Sequence, residues 1–245
     1  MTVMRGACVR QRPDQRASIH AAPRAWDARL AREARMRRPF GAARLMLLRS
    51  ALQFVLRATG LWERGVRNAN SPMLRHEVFA LPRVPAAFDG FRVLLLSDLH
   101  FDGRTGYLDA FRSLVEQAEA DLCVLTGDYP WRAKSDSAWV KRGLDVLTHA
   151  IEPSHGFVGI LGNNDLSLHA ELLGEHGIEV LVNAAIPVHM DGESIWLVGV
   201  DDAHDFRCDD LGEALSATPA QAFRILLAHS PELIGEAARH EVDLY

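Results

Sequence analysis

Short apolar runs alternate with amphipathic segments along the chain from Phe91 to its end. Runs of five to seven mostly apolar residues that are bounded by turn-forming residues are typical of buried strands. We therefore predict strands at Phe91–Ser97, Leu122–Thr126, Phe157–Leu161, Ile195–Val200 and Phe223–Ala228. Two weaker strand candidates are Glu179–Val182 and Pro187–Met190.

Between these strands the apolar residues recur at helical spacing. The segments with this spacing are Leu108–Ala120, Ser135–Ile151, Leu166–Glu175 and Pro231–His240. Proline near the first position of the last segment suits the start of a helix. The alternation of strands and helices predicts an α/β fold, in which helices cover one sheet or two sheets pack face to face.

The chain before residue 70 has a different pattern. Residues 1–35 show no clear periodicity, and we predict that residues 1–44 form a basic, disordered arm. An apolar stripe at helical spacing runs from Leu45 to Trp62 among arginines, which predicts a basic amphipathic helix over residues 45–66. We assign residues 75–245 to one folded domain.

Two roles stay open for the amphipathic helix. It can lie in the headgroup layer of an anionic membrane, or it can pack on the body with its arginines facing water. Nucleic acid is not expected as a partner, because the arm has few interleaved aromatic residues and no recognisable binding motif.

Composition adds a charge asymmetry to this picture. The 245 residues are 48% hydrophobic and 24% charged, which excludes collagen-like, low-complexity and disulfide-scaffold classes. Residues 1–70 contain 15 Arg and 4 acidic residues, a net charge of +11, whereas residues 71–245 carry a net charge of −16. This division suggests that the arm meets an anionic surface.

Cysteine use and hydropathy bear on the compartment. The 3 cysteines form no CxxC pair, so a reducing cytosol is expected. The longest charge-free apolar stretch of the arm, Ser50–Leu56, is too short to span a membrane. We expect a cytoplasmic protein, peripheral on the inner membrane. Export through a twin-arginine signal at Arg37 and Arg38 is the less favoured alternative, because further arginines interrupt the segment that follows.

Metal-binding types of side chain follow four of the predicted strands immediately. These residues are Asp98 and His100, Asp128, Asn163, and His229. Ligand sites in open α/β sheets collect at the carboxyl ends of strands, so we predict that these side chains converge. A mixed oxygen and nitrogen donor set suits Mn, Fe or Zn. A carboxylate such as that of Asp128 can bridge two such ions, which together can support an in-line displacement at phosphorus.

The same blocks resemble a known family. Asp98-Leu99-His100, Gly127-Asp128, Gly162-Asn163-Asn164-Asp165 and His229 are similar to the first four blocks of the calcineurin-like metallophosphoesterase superfamily. The residues around Phe91 and the segment Leu227-Ala228-His229-Ser230-Pro231 resemble its bacterial membrane-associated branch, which includes UDP-diacylglucosamine pyrophosphatases. The resemblance extends from about Leu81 to Tyr245.

This resemblance implies a four-layer α/β/β/α sandwich with two divalent metal ions. Carried onto this chain, Asp98 and His100 bind the first ion, Asp128 bridges, and Asn163 and His229 bind the second ion. The implied reaction is hydrolysis of a phosphodiester or pyrophosphate bond by metal-activated hydroxide, with a lipid-linked nucleotide among the candidate substrates.

Two departures from the family pattern affect the expected activity. Asn164 stands where the family has a histidine near the leaving group, and an amide cannot transfer a proton near neutral pH. The chain also ends at Tyr245, before the position of the family's terminal Gly-His-x-His block. We therefore expect an incomplete second sheet and doubtful activity for this chain. The alternative is a catalytically degenerate binding protein docked on a membrane.

Other polar residues have plainer interpretations. We expect His155, His169, His189 and His240 to be solvated turn residues. Asp165 is expected to be a helix cap or a partner that supports the ligands. Asp201, Asp202 and His204 either line the substrate cleft or form a simple turn. Trp131 and Trp139 are expected to be lid or core aromatics.

Overall fold

A computed structural model describes residues 19–35, 42–102 and 106–245 of the chain. Within these ranges the backbone forms eight strands. In chain order they are β1 (Ile19–Ala21), β2 (Val93–Leu96), β3 (Leu122–Leu125), β4 (Phe157–Gly159), β5 (Ile178–Val182), β6 (Ala184–Met190), β7 (Glu193–Gly199) and β8 (Phe223–Leu227).

The same ranges contain eight α-helices. They are α1 (Pro23–Arg35), α2 (Ala42–Ala58), α3 (Leu61–Ala69), α4 (Tyr107–Val115), α5 (Ser137–Ala150), α6 (Ser167–Glu175), α7 (Leu211–Leu215) and α8 (Ile234–Arg239). Side-chain caps start two of them: the Asp136 carboxylate accepts from the Ala138 amide at α5, and the Asp210 carboxylate accepts from the Glu213 amide at α7.

Five strands form a parallel sheet in the order β1-β5-β4-β3-β2. Strand β3 lies inside this sheet, and all four of its residues are buried. Leu122 and Val124 face one side, and Cys123 and Leu125 face the other. Burial on both faces explains why this strand is a continuous apolar run in the sequence.

The second sheet has the order β6-β7-β8. Strands β6 and β7 form an antiparallel hairpin, in which Met190 pairs with Glu193 across a two-residue turn. Asp191 and Gly192 both have positive φ angles, of 48° and 82°, as a hairpin turn of this length requires. Strand β8 then pairs parallel to β7.

Three apolar clusters hold the layers together. One packs helices α4, α5 and α6 on the parallel sheet, a second fills the space between the two sheets, and a third packs α7 and α8 on the outer face of the second sheet. The order of layers is therefore helix, sheet, sheet, helix. The predicted α/β fold class is confirmed, and each of the five predicted strands overlaps an observed one.

Part of the N-terminal arm is folded. We predicted disorder over residues 1–44, whereas residues 19–35 form β1 and α1. Strand β1 pairs parallel with β5, and the Ala22 amide donates to the Val182 carbonyl at 3.2 Å. Helix α1 then buries Ala25 and Arg29 against the body. A three-residue strand and a helix whose buried face includes an arginine leave little hydrophobic pattern in the sequence. The rest of the predicted arm lies mainly outside the described residues.

The predicted amphipathic helix over residues 45–66 is divided between α2 and α3. The break comes at Gly60, which has a φ angle of 71°. Several large apolar side chains of the pair are exposed, among them Leu48, Leu52, Phe54 and Val55 of α2. No described helix combines the length and the apolar character that a membrane crossing requires.

Candidate metal centre

The side chains that the sequence singled out come from loops at one edge of the fold. Asp98 and His100 follow β2, Asp128 follows β3, and Asn163 follows β4. These three strands are parallel neighbours, so their carboxyl ends lie side by side. His229 follows β8 of the second sheet and reaches the same edge.

The backbone of the first two loops is held in an unusual conformation. Asp98, His100 and Asp128 all have positive φ angles, of 51°, 42° and 59°. The strand ladder continues between these loops, because the Asp98 amide donates to the Gly127 carbonyl and the His100 amide to the Asp128 carbonyl, each at 3.1 Å. Strained backbone that is held by such bonds is typical of functional sites.

Asp98, His100 and Asp128 form a compact group whose ligand atoms all lie within 4.8 Å of one another. His100 Nε2 lies 3.7 Å from Asp98 Oδ1 and 3.9 Å from Asp128 Oδ2. Two ligands at about 2.1 Å from a tetrahedral ion are separated by roughly 3.4 Å. The spacing and the donor types therefore fit one divalent first-row ion with small adjustments.

A second group shares the Asp128 carboxylate. His229 Nε2 lies 3.5 Å from Asp128 Oδ1 and 3.0 Å from Asn163 Oδ1. The two histidines thus face different oxygens of the same buried carboxylate. The five side chains converge as expected, and Asp128 lies between the two histidines.

Hydrogen bonds fix the orientation of both imidazoles. His100 Nδ1 lies 3.0 Å from the Pro130 carbonyl, and His229 Nδ1 lies 2.8 Å from the Thr126 carbonyl. A carbonyl can only accept, so Nδ1 is the donor in both contacts. Nε2 faces the carboxylate in both rings and is the nitrogen that an ion would bind; in His229 it also lies 3.0 Å from Asn163 Oδ1, so an ion there would take both atoms as ligands.

Asn164 contacts Asp128 twice. Its backbone amide donates to Oδ1 at 2.8 Å, and its side-chain Nδ2 donates to Oδ2 at 2.6 Å. The residue therefore lies directly beside the candidate bridging carboxylate. Its amide can donate a hydrogen bond there, but it has no proton to transfer near neutral pH.

Asp165 supports the centre from behind. Its carboxylate is buried and accepts from the backbone amides of Asp128 at 2.7 Å, Gly162 at 2.7 Å and Tyr129 at 3.1 Å. Burial is the main cause that raises the pKa of Asp165 to about 6, and the amide donors oppose this rise. Of the two predicted roles, the structure favours the supporting partner over the helix cap.

Close packing at Gly162 leaves no room for a side chain. A Cβ atom at this position would lie 2.5 Å from Asp128 Oδ1 and 2.9 Å from His229 Nδ1. Glycine is therefore required here so that the β4 loop can approach the carboxylate.

The remaining candidates take different places. Asp202 forms a simple turn, because its carboxylate accepts from the backbone amides of His204, Asp205 and Phe206. His204 Nδ1 lies 2.7 Å from Glu232 Oε1. Trp131 is exposed and packs edge-on against His100, with 4.9 Å between the ring centroids.

One plain interpretation was wrong. His169 is not a solvated turn residue but lies buried in α6, where its Nδ1 accepts from the Leu166 amide at 2.9 Å. Burial is the main cause that lowers the pKa of His169 to about 4.

Sequence reasoning missed a buried charged residue that contacts this centre. Arg29 of α1 is fully buried and donates to the Gly162 and Asp165 carbonyls, at 3.4 Å and 2.5 Å. Because this segment contains many arginines, an arginine at position 29 does not stand out in the sequence as a buried residue. The helical spacing of Ala25, Arg29 and Glu33 is the only hint in the sequence.

Comparisons with known proteins agree with this geometry. The sequence model of the family described as calcineurin-like phosphoesterase matches residues 91–236, a range that contains all five converging side chains. The chain is 27% identical over 220 residues to a "Transmembrane protein with metallophosphoesterase domain" of Danio rerio, covering 83% of this chain and 48% of that protein. It is 26% identical over 149 residues to "Uncharacterized metallophosphoesterase YkoQ" of Bacillus subtilis (strain 168), covering 58% of this chain and 54% of that protein.

The chain thus spans about half the length of the curated relatives that it matches. Among solved structures, the phosphopantetheinyl hydrolase PptH of Mycobacterium tuberculosis aligns with a TM-score of 0.38 and 12% identity, covering 60% of this chain and 71% of that one. A similarity of this size carries no functional argument.

Proposed function

The chain belongs to the calcineurin-like phosphoesterase family, and from this premise we propose that it hydrolyses a phosphodiester or pyrophosphate bond at a two-metal site. The single observation that carries the proposal is the position of Asp128. Its two carboxylate oxygens face His100 and His229, at 3.9 Å and 3.5 Å, as a ligand shared by two ions must do.

We assign the ligands accordingly. Asp98, His100 and Asp128 hold the first ion, and Asp128, Asn163 and His229 hold the second. The carboxylate and imidazole donors suit Mn, Fe or Zn. When bound, the two ions supply an activated hydroxide and neutralise charge on the phosphoryl oxygens.

Asn164 sets the class of leaving group. Its Nδ2 lies at the bridging carboxylate and can donate a hydrogen bond to a leaving oxygen, but it cannot protonate that oxygen. Hydrolysis should therefore favour leaving groups that depart as stable anions, such as a nucleotide phosphate released from a pyrophosphate. Lipid-linked nucleotides are in this class, and the exposed apolar side chains of α2 support a peripheral membrane location.

A second candidate function is a degenerate binding protein that docks on a membrane. The observation in its favour is again Asn164, because this chain has no histidine at the place where the family has its proton donor. Such a protein would bind metal and a phosphoester without cleaving it.

The two functions separate in one experiment on the whole chain. Mn²⁺ binding is followed by isothermal titration, and hydrolysis of bis-p-nitrophenyl phosphate is measured with excess Mn²⁺. The variant Asp128→Ala removes the shared ligand, and Asp109→Ala removes an exposed carboxylate on α4 as a matched control.

We expect two ions per chain for the unmodified chain and Asp109→Ala, with hydrolysis that is slow but measurable. Asp128→Ala should lose about 100-fold or more in both readouts, because each ion loses a ligand. Mn²⁺ binding without hydrolysis would establish the degenerate binding protein instead. A folded chain that binds no Mn²⁺ would overturn both functions.

A further inference from the structure

The buried guanidinium of Arg29 is unusual for its surroundings. Its side chain is 0% exposed, although it comes from the most basic part of the chain and from outside the family match at 91–236. Burying a charge is costly unless it is paired and hydrogen-bonded. The groups that contact Arg29 therefore indicate which part of the molecule its buried charge stabilises.

Arg29 contacts both layers that form the metal centre. Its Nη1 pairs with Asp201, which follows β7 of the second sheet and is itself buried. Its Nη2 donates to the Gly162 and Asp165 carbonyls of the β4 loop. The guanidinium carbon Cζ also lies 4.2 Å from the centroid of the Phe206 ring. One side chain thus joins loops from two different sheets.

The two carbonyl groups that accept from Arg29 flank the two asparagines of the loop. Asn163 and Asn164 lie between Gly162 and Asp165, so Nη2 of Arg29 holds the loop at both ends. One turn further along α1, the Glu33 carboxylate accepts from the backbone amide and hydroxyl of Ser167, at 2.6 Å and 2.8 Å. Helix α1 therefore fixes the loop and the start of α6 together.

Helix α1 is itself anchored to the sheet. Strand β1 directly precedes it and pairs with β5 along its whole length. His20 of β1 also contacts Glu179 of β5 through its Nε2. Because β1 fixes the start of α1, the backbone of Arg29 is held at a defined position relative to the sheet.

We propose that Arg29 is a positioning residue, which holds the Gly162–Asp165 loop so that Asn163 faces His229 and Asn164 faces Asp128. The segment 19–35 is then part of the metal centre, although the family match does not include it. This inference rests on the proposed function for its catalytic meaning, but the positioning of the loop is a property of the metal-free chain.

The test compares Arg29→Met with the double variant Arg29→Met/Asp201→Asn. The single variant leaves the Asp201 carboxylate buried without its cation and is expected to lose stability. The double variant removes both charges, so it keeps a folded protein while the tether to the loop is absent. Arg24→Ala, at an exposed position on the same helix, is the matched control.

The first readout is amide hydrogen exchange in the metal-free protein. The Asn164 amide is protected by its bond to Asp128 in the unmodified chain. In the double variant we expect this amide to exchange about tenfold faster or more, because the loop opens locally. Unchanged exchange in a folded double variant would overturn the inference.

The second readout is Mn²⁺ affinity. Loss of the tether should weaken the ion at Asn163 and His229 by about 10- to 100-fold, and should leave the ion at Asp98 and His100 close to its original affinity. A general loss of structure would weaken both ions equally and would contradict a positioning role. If the unmodified chain binds no Mn²⁺, the proposed function fails, and the exchange experiment still decides the role of Arg29.

Discussion

At the scale of single residues, the loop behind the metal centre depends on buried groups that titrate far from their usual range. His169 and Asp165 lie 3.6 Å apart and are both buried. Burial disfavours the charged form of each, so it lowers the pKa of the histidine and raises that of the carboxyl. The neutral histidine can then accept from the Leu166 amide at the start of α6.

The first prediction concerns stability in acid. The pKa of His169 falls from 6.5 to about 4 on folding, so the unfolded chain binds the proton more readily between these values. The contribution of neutral His169 to the free energy of unfolding is complete above pH 6.5. It is lost as pH falls toward 4, and the total loss is about 3 kcal/mol.

His169→Gln keeps an acceptor for the Leu166 amide but does not titrate. Urea unfolding from pH 7.5 down to pH 4 should show a shallower loss of stability in this variant. Asp165 is present in both proteins, and its raised pKa makes stability rise as pH falls, so the difference between the two curves reports His169 together with its coupling to Asp165. Parallel curves would contradict the prediction.

The site residues themselves divide by what the sequence can reveal. Asp98, His100, Asp128, Asn163 and His229 each follow a strongly apolar strand, so their type and position were visible together. Arg29 has no such mark, because its partners are two backbone carbonyls and a carboxylate more than 130 residues away. Such contacts exist only after the sheets have packed.

At the scale of elements, the hydrophobic pattern predicted those strands and helices in which burial of one or two faces determines the order of apolar and polar residues. Strand β3 is a continuous apolar run in the sequence, and β7 and β8 are mostly apolar. Strand β1 does not, because it has three residues and lies at the edge of the sheet. The helix at 45–66 was predicted from its stripe, but the turn at Gly60 divides it.

The second prediction concerns the exposed stripe of α2. Leu48, Leu52 and Val55 are spaced to lie along one side of the helix, and Leu52 is 58% exposed. If this side inserts into a headgroup layer beside the arginines of α2 and α3, binding should require both apolar contact and anionic lipid.

Flotation with phosphatidylcholine vesicles, with and without phosphatidylglycerol, measures both requirements. Leu52→Asp should weaken binding to anionic vesicles by roughly tenfold or more, since one buried leucine is worth about 1.5–3 kcal/mol. Ser50→Asp adds the same charge on another side of α2 and should have the smaller effect. Equal binding to neutral vesicles would show that electrostatic attraction does not contribute to membrane binding. Equal effects of the two variants would show that the apolar side of α2 does not contribute.

At the scale of the whole molecule, the contact between the two sheets brings the two halves of the candidate metal centre together. Leu122, Val124, Ile160 and Leu181 of the first sheet pack against Val188, Ile195, Leu197, Phe223 and Leu227 of the second. His229 lies two residues after the end of β8, so its approach to Asp128 depends on this contact. Loss of packing here should therefore separate the two halves of the site.

The third prediction concerns the contribution of this contact to stability. Leu181→Ala opens a cavity at a fully buried position between the sheets and should lower the free energy of unfolding by about 2–5 kcal/mol. Leu95→Ala makes the same change on β2, where the side chain is 61% exposed, and should cost much less. Urea denaturation of the two variants gives the comparison, and equal losses would show that the inter-sheet cluster does not dominate stability.

The sequence by itself determined the α/β class, most of the strands and the residue types at the strand ends. It could do so because burial imposes a local pattern on each strand and because the candidate ligands follow those strands directly. The tertiary structure alone decided that Asp128 lies between two histidines, that Nε2 of each faces it, and that Arg29 reaches the β4 loop. These contacts join residues from different sheets and from the N-terminal segment, and no local pattern records a partner that only packing brings near.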